Sequence, residues 1–154
     1  LLHHAIADGL FSRQLPDASV KSLEITGKDL DDFLYHPYDP ARTLVQCLQL
    51  NGIDVQESDR QVLYYLIDGI VERTAVLVTA NIAAVLAKTG AGANPCLPVC
   101  VTADGTTFYK SKLFRDKLNY YVKTYLNEKK GLYCEFVKAE NGNLIGTAAA
   151  GLQA

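Results

Sequence analysis

The chain has 154 residues, of which 49% are hydrophobic and 21% charged, with a formal net charge of -2. That length suits one domain, whose folding buries roughly 70% of the surface that the unfolded chain exposes. The 15 basic residues are dispersed against 17 acidic ones, so no basic field exists to attract nucleic acid or an anionic membrane surface.

Residues 1–10 read as the tail of an amphipathic helix stopped by Gly9. His3, His4 and Asp8 interrupt its apolar residues, which argues against a secretory signal and makes the cytoplasm the expected location. Leu1 stands where an initiator would be and Met is absent throughout, so the chain reads as a segment of a longer protein. Residues 11–21 carry Pro16, Asp17 and Ser19 and are expected to form a loop. Ile25-Thr26-Gly27 leads into a short helix over 28–36 that Pro37 ends. Asp39 and Pro40 then predict a helix over 41–50, with Asn51-Gly52 as its stop.

The strongest local signal is 58–89. Ser58 and Gln61 have capping-box spacing, and apolar residues recur almost without a break to Leu86 before Gly90 ends the run. One straight helix of this length spans about 45 Å. Its second half, 75–87, is apolar nearly all round and predicts a helix packed on several sides. Asp68, Glu72, Arg73 and Lys88 keep it short of an uninterrupted membrane span.

Beyond the loop at 90–97 the period changes. Residues 98–103 read as a strand, 112–127 as an amphipathic helix, 132–138 as a second strand and 144–152 as a small-residue helix. Leu113, Leu118, Val122, Tyr125 and Leu126 mark the buried stripe of the middle helix. Two strands joined by a helix of that length imply parallel pairing with a right-handed crossover.

Local chemistry is sparse. The chain has no Walker A sequence, and no G-x-G-x-x-G follows either strand. Gly90-Ala91-Gly92 follows a helix and reads as a connector. The histidines His3, His4 and His36 share no metal-ligand spacing with carboxylates, and Cys47, Cys96, Cys100 and Cys134 lack the paired spacing of a zinc site. These cysteines read as buried or half-buried free thiols. No metal site and no catalytic residue is assigned. Two places could hold a ligand: Asp104-Gly105-Thr106 after the first strand, and Gly142 to Thr147 after the second, at a helix start.

Residues 99–110, a strand followed by Asp104-Gly105-Thr106 and then Tyr109-Lys110, resemble the strand, DG(S/T) and YK of the hexokinase adenosine motif, with one extra residue before the tyrosine. Residues 136–150 resemble its second half, normally an acidic residue followed by G-S-G-x-G-A-A. Here Glu140 precedes Gly142, with Asn143 in place of serine and Leu144 in place of glycine. Glu72-Arg73-Thr74-Ala75 resembles the family's arginine-bearing helix, and 53–59 the loop that introduces it. The likeness runs along essentially the whole chain.

The resemblance implies the fold of an actin-like (ribonuclease H-like) sugar kinase, with residues 1–154 as the C-terminal part of the large domain: an α/β lobe, helix-rich with a parallel βαβα end. It implies a glycolytic enzyme that moves the ATP γ-phosphate to the 6-hydroxyl of glucose or a related hexose, with ATP and Mg²⁺ used by the intact protein. Carried over by position, Gly142, Asn143, Leu144, Ile145, Gly146 and Thr147 border the adenosine. Glu72, Arg73, Thr74, Ala75 and Val76 line the pocket from the helix. The family's catalytic aspartate, sugar-binding loops and phosphate segments have no counterpart here, so the expected partner is the upstream part of the same protein, and the segment alone is expected to be inactive. The alternative is a non-catalytic nucleotide-binding or regulatory module derived from such a kinase. The zinc-binding cysteine cluster of repressor-type glucokinases is not matched.

Overall fold

The computed structural model describes residues 4–5, 8–11, 25–50, 52, 54–138 and 142–152. The loop expected over 11–21 lies outside them apart from Phe11, as do Glu140 and Asn141. The chain divides into two compact units, Leu1–Val71 and Glu72–Ala154.

In the first unit, Gly9 takes φ 72°, a left-handed value that suits glycine, and stops the helical turn where expected. Helix α1 (Gly27–Tyr35) opens with a full capping box. The Thr26 N–H donates to the Asp29 carboxylate at 2.9 Å, and the Asp29 N–H donates to Thr26 Oγ1 at 3.4 Å. At its end the His36 N–H donates to the carbonyls of Asp32 and Phe33. Helix α2 (Thr43–Leu50) starts two residues later than the Asp39-Pro40 signal suggests. Asp39 Oδ1 accepts from the Ala41 N–H at 2.9 Å, and Asp39 pairs with Arg42 at 3.0 Å, so these residues form a turn ahead of the helix. Phe33 and Leu34 of α1 and Leu44, Val45 and Leu48 of α2 are buried, together with Val55, Leu63 and Ile67.

Helix α3 (Glu57–Thr89) is continuous, as the long apolar run predicts. Its cap differs from the Ser58 and Gln61 reading. Asp59, itself buried, accepts from the Gln56 N–H at 3.0 Å, so the carboxylate of the first turn reaches back to the residue before the helix. Two further expectations are corrected. The helix contains an 18-residue window of mean hydropathy 1.6 with at most two charged residues, so by length and composition it is apolar enough to cross a membrane. After Glu57, Asp59 and Arg60 at its start, its charges fall at 68–73 and at Lys88, which leaves a long apolar interval between those two. Core helices of water-soluble proteins meet the same criterion. Only 17% of that window is buried, so the second half is covered along one face rather than on several sides. That face carries Ala75, Thr79 and Leu86, at helical spacing. The Thr79 hydroxyl donates to the Ala75 carbonyl at 2.8 Å, which satisfies it inside the helix.

In the second unit, β1 (Val99–Thr102) and β2 (Cys134–Val137) pair in parallel, in the register Val99↔Cys134 to Thr102↔Val137. They form the two-stranded sheet of the described residues. The crossover between them is more segmented than one helix over 112–127. A short α4 (Thr106–Lys110) precedes α5 (Lys112–Tyr121), which passes into a π-helical segment (Val122–Lys130). Ser111 caps α5 by accepting from the Phe114 N–H at 3.3 Å. Phe114, Leu118, Val122 and Leu126 are buried, whereas Leu113 and Tyr125 of the expected stripe are half-buried. A repeat of four drifts around an α-helix of 3.6 residues per turn, and the wider i→i+5 turn of a π-helix reduces that drift. Helix α6 (Gly142–Leu152) starts two residues earlier than expected. Cys96 and Cys100 are exposed, which corrects the buried-thiol reading for both; Cys47 and Cys134 are half-buried.

Gly92 holds the approach to the sheet. Its carbonyl accepts from the Tyr133 N–H at 2.7 Å, and the Tyr133 carbonyl accepts from the Val99 N–H at 3.0 Å. At φ 84° a Cβ on Gly92 would lie 2.9 Å from the Tyr133 carbonyl oxygen. Gly90, at φ 69°, has open space around it. Gly92→Ala is therefore expected to lose both conformational ease and fit, about 2 kcal/mol or more, against about 1 kcal/mol for Gly90→Ala. Urea midpoints of the two variants measure the difference, and equal losses would remove the steric role of Gly92.

Candidate functional site

The two strands end side by side at Thr102 and Val137, and the ladder runs one step further, with the Ala103 N–H donating to the Val137 carbonyl at 3.1 Å. Ligands of open α/β sheets collect beyond such carboxyl ends. Asp104 and Gly105 make the exposed turn that follows: the Gly105 N–H donates to Asp104 Oδ1 at 2.7 Å, and Gly105 takes φ 103°. Tyr109 of α4 folds back so that its hydroxyl donates to the Ala103 carbonyl at 2.7 Å. Lys138, the first residue after β2, sets its Nζ 5.6 Å from the Tyr109 ring centroid, a cation–π distance. Behind this pair Phe108 meets Phe136 with ring centroids 5.2 Å apart. The sequence pattern points to Asp104 and Tyr109 but misses Lys138. Its only signal is its place directly after a strand.

Helix α6 begins at Gly142, and the first N–H groups of a helix lack intrahelical partners. Gly142 is half-buried, and Gly146 and Thr147 are exposed. Asn143, Leu144 and Ile145 lie in the same helical turn, but their side chains are outside the described set. A Cβ on Gly146 would meet nothing within 4 Å.

The second group of candidate residues sits on α3, at the start of the same unit. Arg73, Thr74 and Val76 are exposed, Glu72 is half-buried, and Ala75 is buried completely at 0% exposure. Glu72 is engaged by the protein itself. Its carboxylate accepts from Lys117 Nζ at 2.5 Å and from the Tyr121 hydroxyl, both on α5. The hydrogen bond from Lys117, then that from Tyr121, holds the Glu72 carboxyl below its ordinary value. The same carboxylate pushes the Tyr121 phenol up. Lys117 and Tyr121 are four apart and share a helix face, yet nothing local in the sequence pairs them with a residue 45 and 49 positions upstream. Burial raises the Cys134 thiol, which makes it a poor nucleophile.

The description of a matching family model is Hexokinase, and the match covers residues 2–153. The chain belongs to the hexokinase family. No curated protein and no solved structure matches it. For a hexokinase family member the coarse chemistry is sugar phosphorylation with ATP and Mg²⁺. Among the described residues no group of three or more His, Cys, Asp or Glu could hold a metal ion, so no Mg²⁺ ligand is assigned here. The carboxyl edge of the sheet thus gathers the exposed Asp104–Gly105 turn and the Tyr109–Lys138 pair.

The Glu72 contact carries a pH dependence. Its folded pKa is depressed, so in that window the unfolded chain binds more protons and stability rises with pH. The contribution is present above the ordinary value of 4.5 and is lost as pH falls through the lower folded value. Glu72→Gln is expected to flatten the acid limb of the stability profile, read as urea midpoints from about pH 2 to pH 6. Parallel profiles would mean that the contact is not formed in solution.

Proposed function

We propose that this chain is the adenosine-binding segment of a cytoplasmic hexokinase, in the C-terminal part of an actin-like large domain. The intact enzyme transfers the ATP γ-phosphate to the 6-hydroxyl of glucose or a related hexose. In this reading the adenosine lies against Gly142–Thr147 at the start of α6, with Arg73, Thr74 and Val76 of α3 reaching the same ligand. The free N–H groups of α6 favour the negative end of the nucleotide. The Asp104 turn and the Tyr109–Lys138 pair form the neighbouring edge.

The observation that carries the reading is Gly146. It lies inside an exposed helix, where glycine is about 1 kcal/mol less favourable than alanine. Among the described residues neither a positive φ nor a neighbour within 4 Å of a Cβ accounts for it. Close approach of a flat ligand does.

Two outcomes follow. In the intact enzyme, Gly146→Val is expected to raise the KM for ATP about tenfold while leaving the KM for glucose unchanged, because the added bulk obstructs the ligand while a Cβ at this position meets nothing within 4 Å among the described residues. Equal loss toward both substrates, or a lowered Tm with unchanged constants, would leave this turn as scaffold. The segment alone is expected to show no glucose-dependent ATP turnover, since no residue in it matches a catalytic base. A coupled assay above a heat-killed control would overturn that assignment.

A further inference from the structure

The first unit contains a cleft that the nucleotide reading does not use. Its volume is about 430 Å³, within the range of small-molecule sites. One wall is the start of α3, where Arg60, Gln61, Tyr64 and Tyr65 fall on one side of the helix. The other is the chain reversal after α1, at Pro37 and Tyr38. The two walls are tied together, because Arg60 Nη1 donates to the Pro37 carbonyl at 2.9 Å. Pro37 has a fixed φ, so the reversal is held in shape before any ligand arrives.

The chemistry of the lining is selective. Arg60 is half-buried and is the charged residue of the cleft. A guanidinium has five N–H donors, and the Pro37 carbonyl takes one of them. No carboxylate among the described residues forms an ion pair with it. Glu57, one turn earlier on α3, pushes the Tyr38 phenol up, first through its charge and then through a side-chain hydrogen bond. Three tyrosines, Tyr38, Tyr64 and Tyr65, line the same cleft. The Tyr64 and Tyr65 rings meet edge to face, with centroids 5.8 Å apart at 84°. Tyr38 and Tyr65 are 65% and 74% exposed, so their apolar ring surface is open to a ligand.

We propose that this cleft binds a small organic anion that carries a flat ring, its charge on Arg60 and its ring against Tyr64 and Tyr65. A planar fork with four donors unpartnered among the described residues suits a carboxylate or phosphate in bidentate contact. The tyrosine faces supply area for a ring with few rotamers to freeze. The whole cleft lies within Leu1–Val71, so the assignment is independent of the nucleotide reading.

The test titrates the chain with 2-naphthoate, followed by fluorescence anisotropy, against its uncharged analogue 2-naphthamide. Saturable naphthoate binding is expected, with naphthamide about tenfold weaker. Arg60→Leu is expected to weaken naphthoate about tenfold and to leave naphthamide nearly unchanged, whereas Tyr65→Ala weakens both about threefold. Gly146→Val is expected to change neither. Tyr65 is mostly exposed, so its variant keeps the fold and decides the ring contact even where Arg60→Leu is destabilised. Equal affinity for the two probes, no saturation at millimolar naphthoate, or an unchanged constant in Tyr65→Ala would overturn the proposal.

Discussion

The parallel register Val99↔Cys134 is the constraint on which the second unit depends. Parallel neighbours cannot be joined by a hairpin, so the chain must leave the end of β1 and return to the start of β2. The segments α4, α5 and the π-helical stretch are that return path, and Phe114, Leu118, Val122 and Leu126 are what it buries. The same register brings both carboxyl ends to one edge. Asp104, Tyr109 and Lys138 meet there because β1 and β2 stop in step, while Gly92 lets the preceding loop close against Tyr133 at the opposite end.

Local period and punctuation govern the part of the fold that is legible in the sequence. The 3.6-residue run after Val55, the β-branched stretch at Val99 and the stops at Gly9, Gly52 and Gly90 translate directly into elements, because each is decided within one or two turns of backbone. Parallel pairing is legible too, since crossover length admits little else. The caps are less so. Ser58 and Gln61 have the right spacing, but Asp59 is a stronger acceptor one residue along and reaches back to Gln56 instead. The break of the crossover helix is not legible at all. A four-residue spacing of buried side chains marks it, and that spacing also fits a drifting α-helix.

The candidate site divides in the same way. Asp104 sits in the turn that follows β1, and Gly142 opens the helix that follows β2. Glu72 and Lys138 take on meaning only through long-range contact, Glu72 with α5 and Lys138 with Tyr109. A motif records which residue types stand in order. It does not record that a carboxylate has already found a lysine and a phenol, a pairing that costs an ordered side chain on each helix and therefore persists only where packing holds both.

That distinction bears on how the α3 residues work. Glu72 spends both oxygens on Lys117 and Tyr121, so its charge is neutralised inside the unit and adds little field for a ligand. Arg73, next in sequence and about 100° round the helix, is exposed and carries no such partner among the described residues. A helix that tied up its arginine and exposed its glutamate would repel an anionic nucleotide. This one does the reverse. On the proposed nucleotide reading the Glu72 contact acts indirectly: it anchors α3 to α5 at the turn that carries Arg73, and leaves the positive charge as the accessible one.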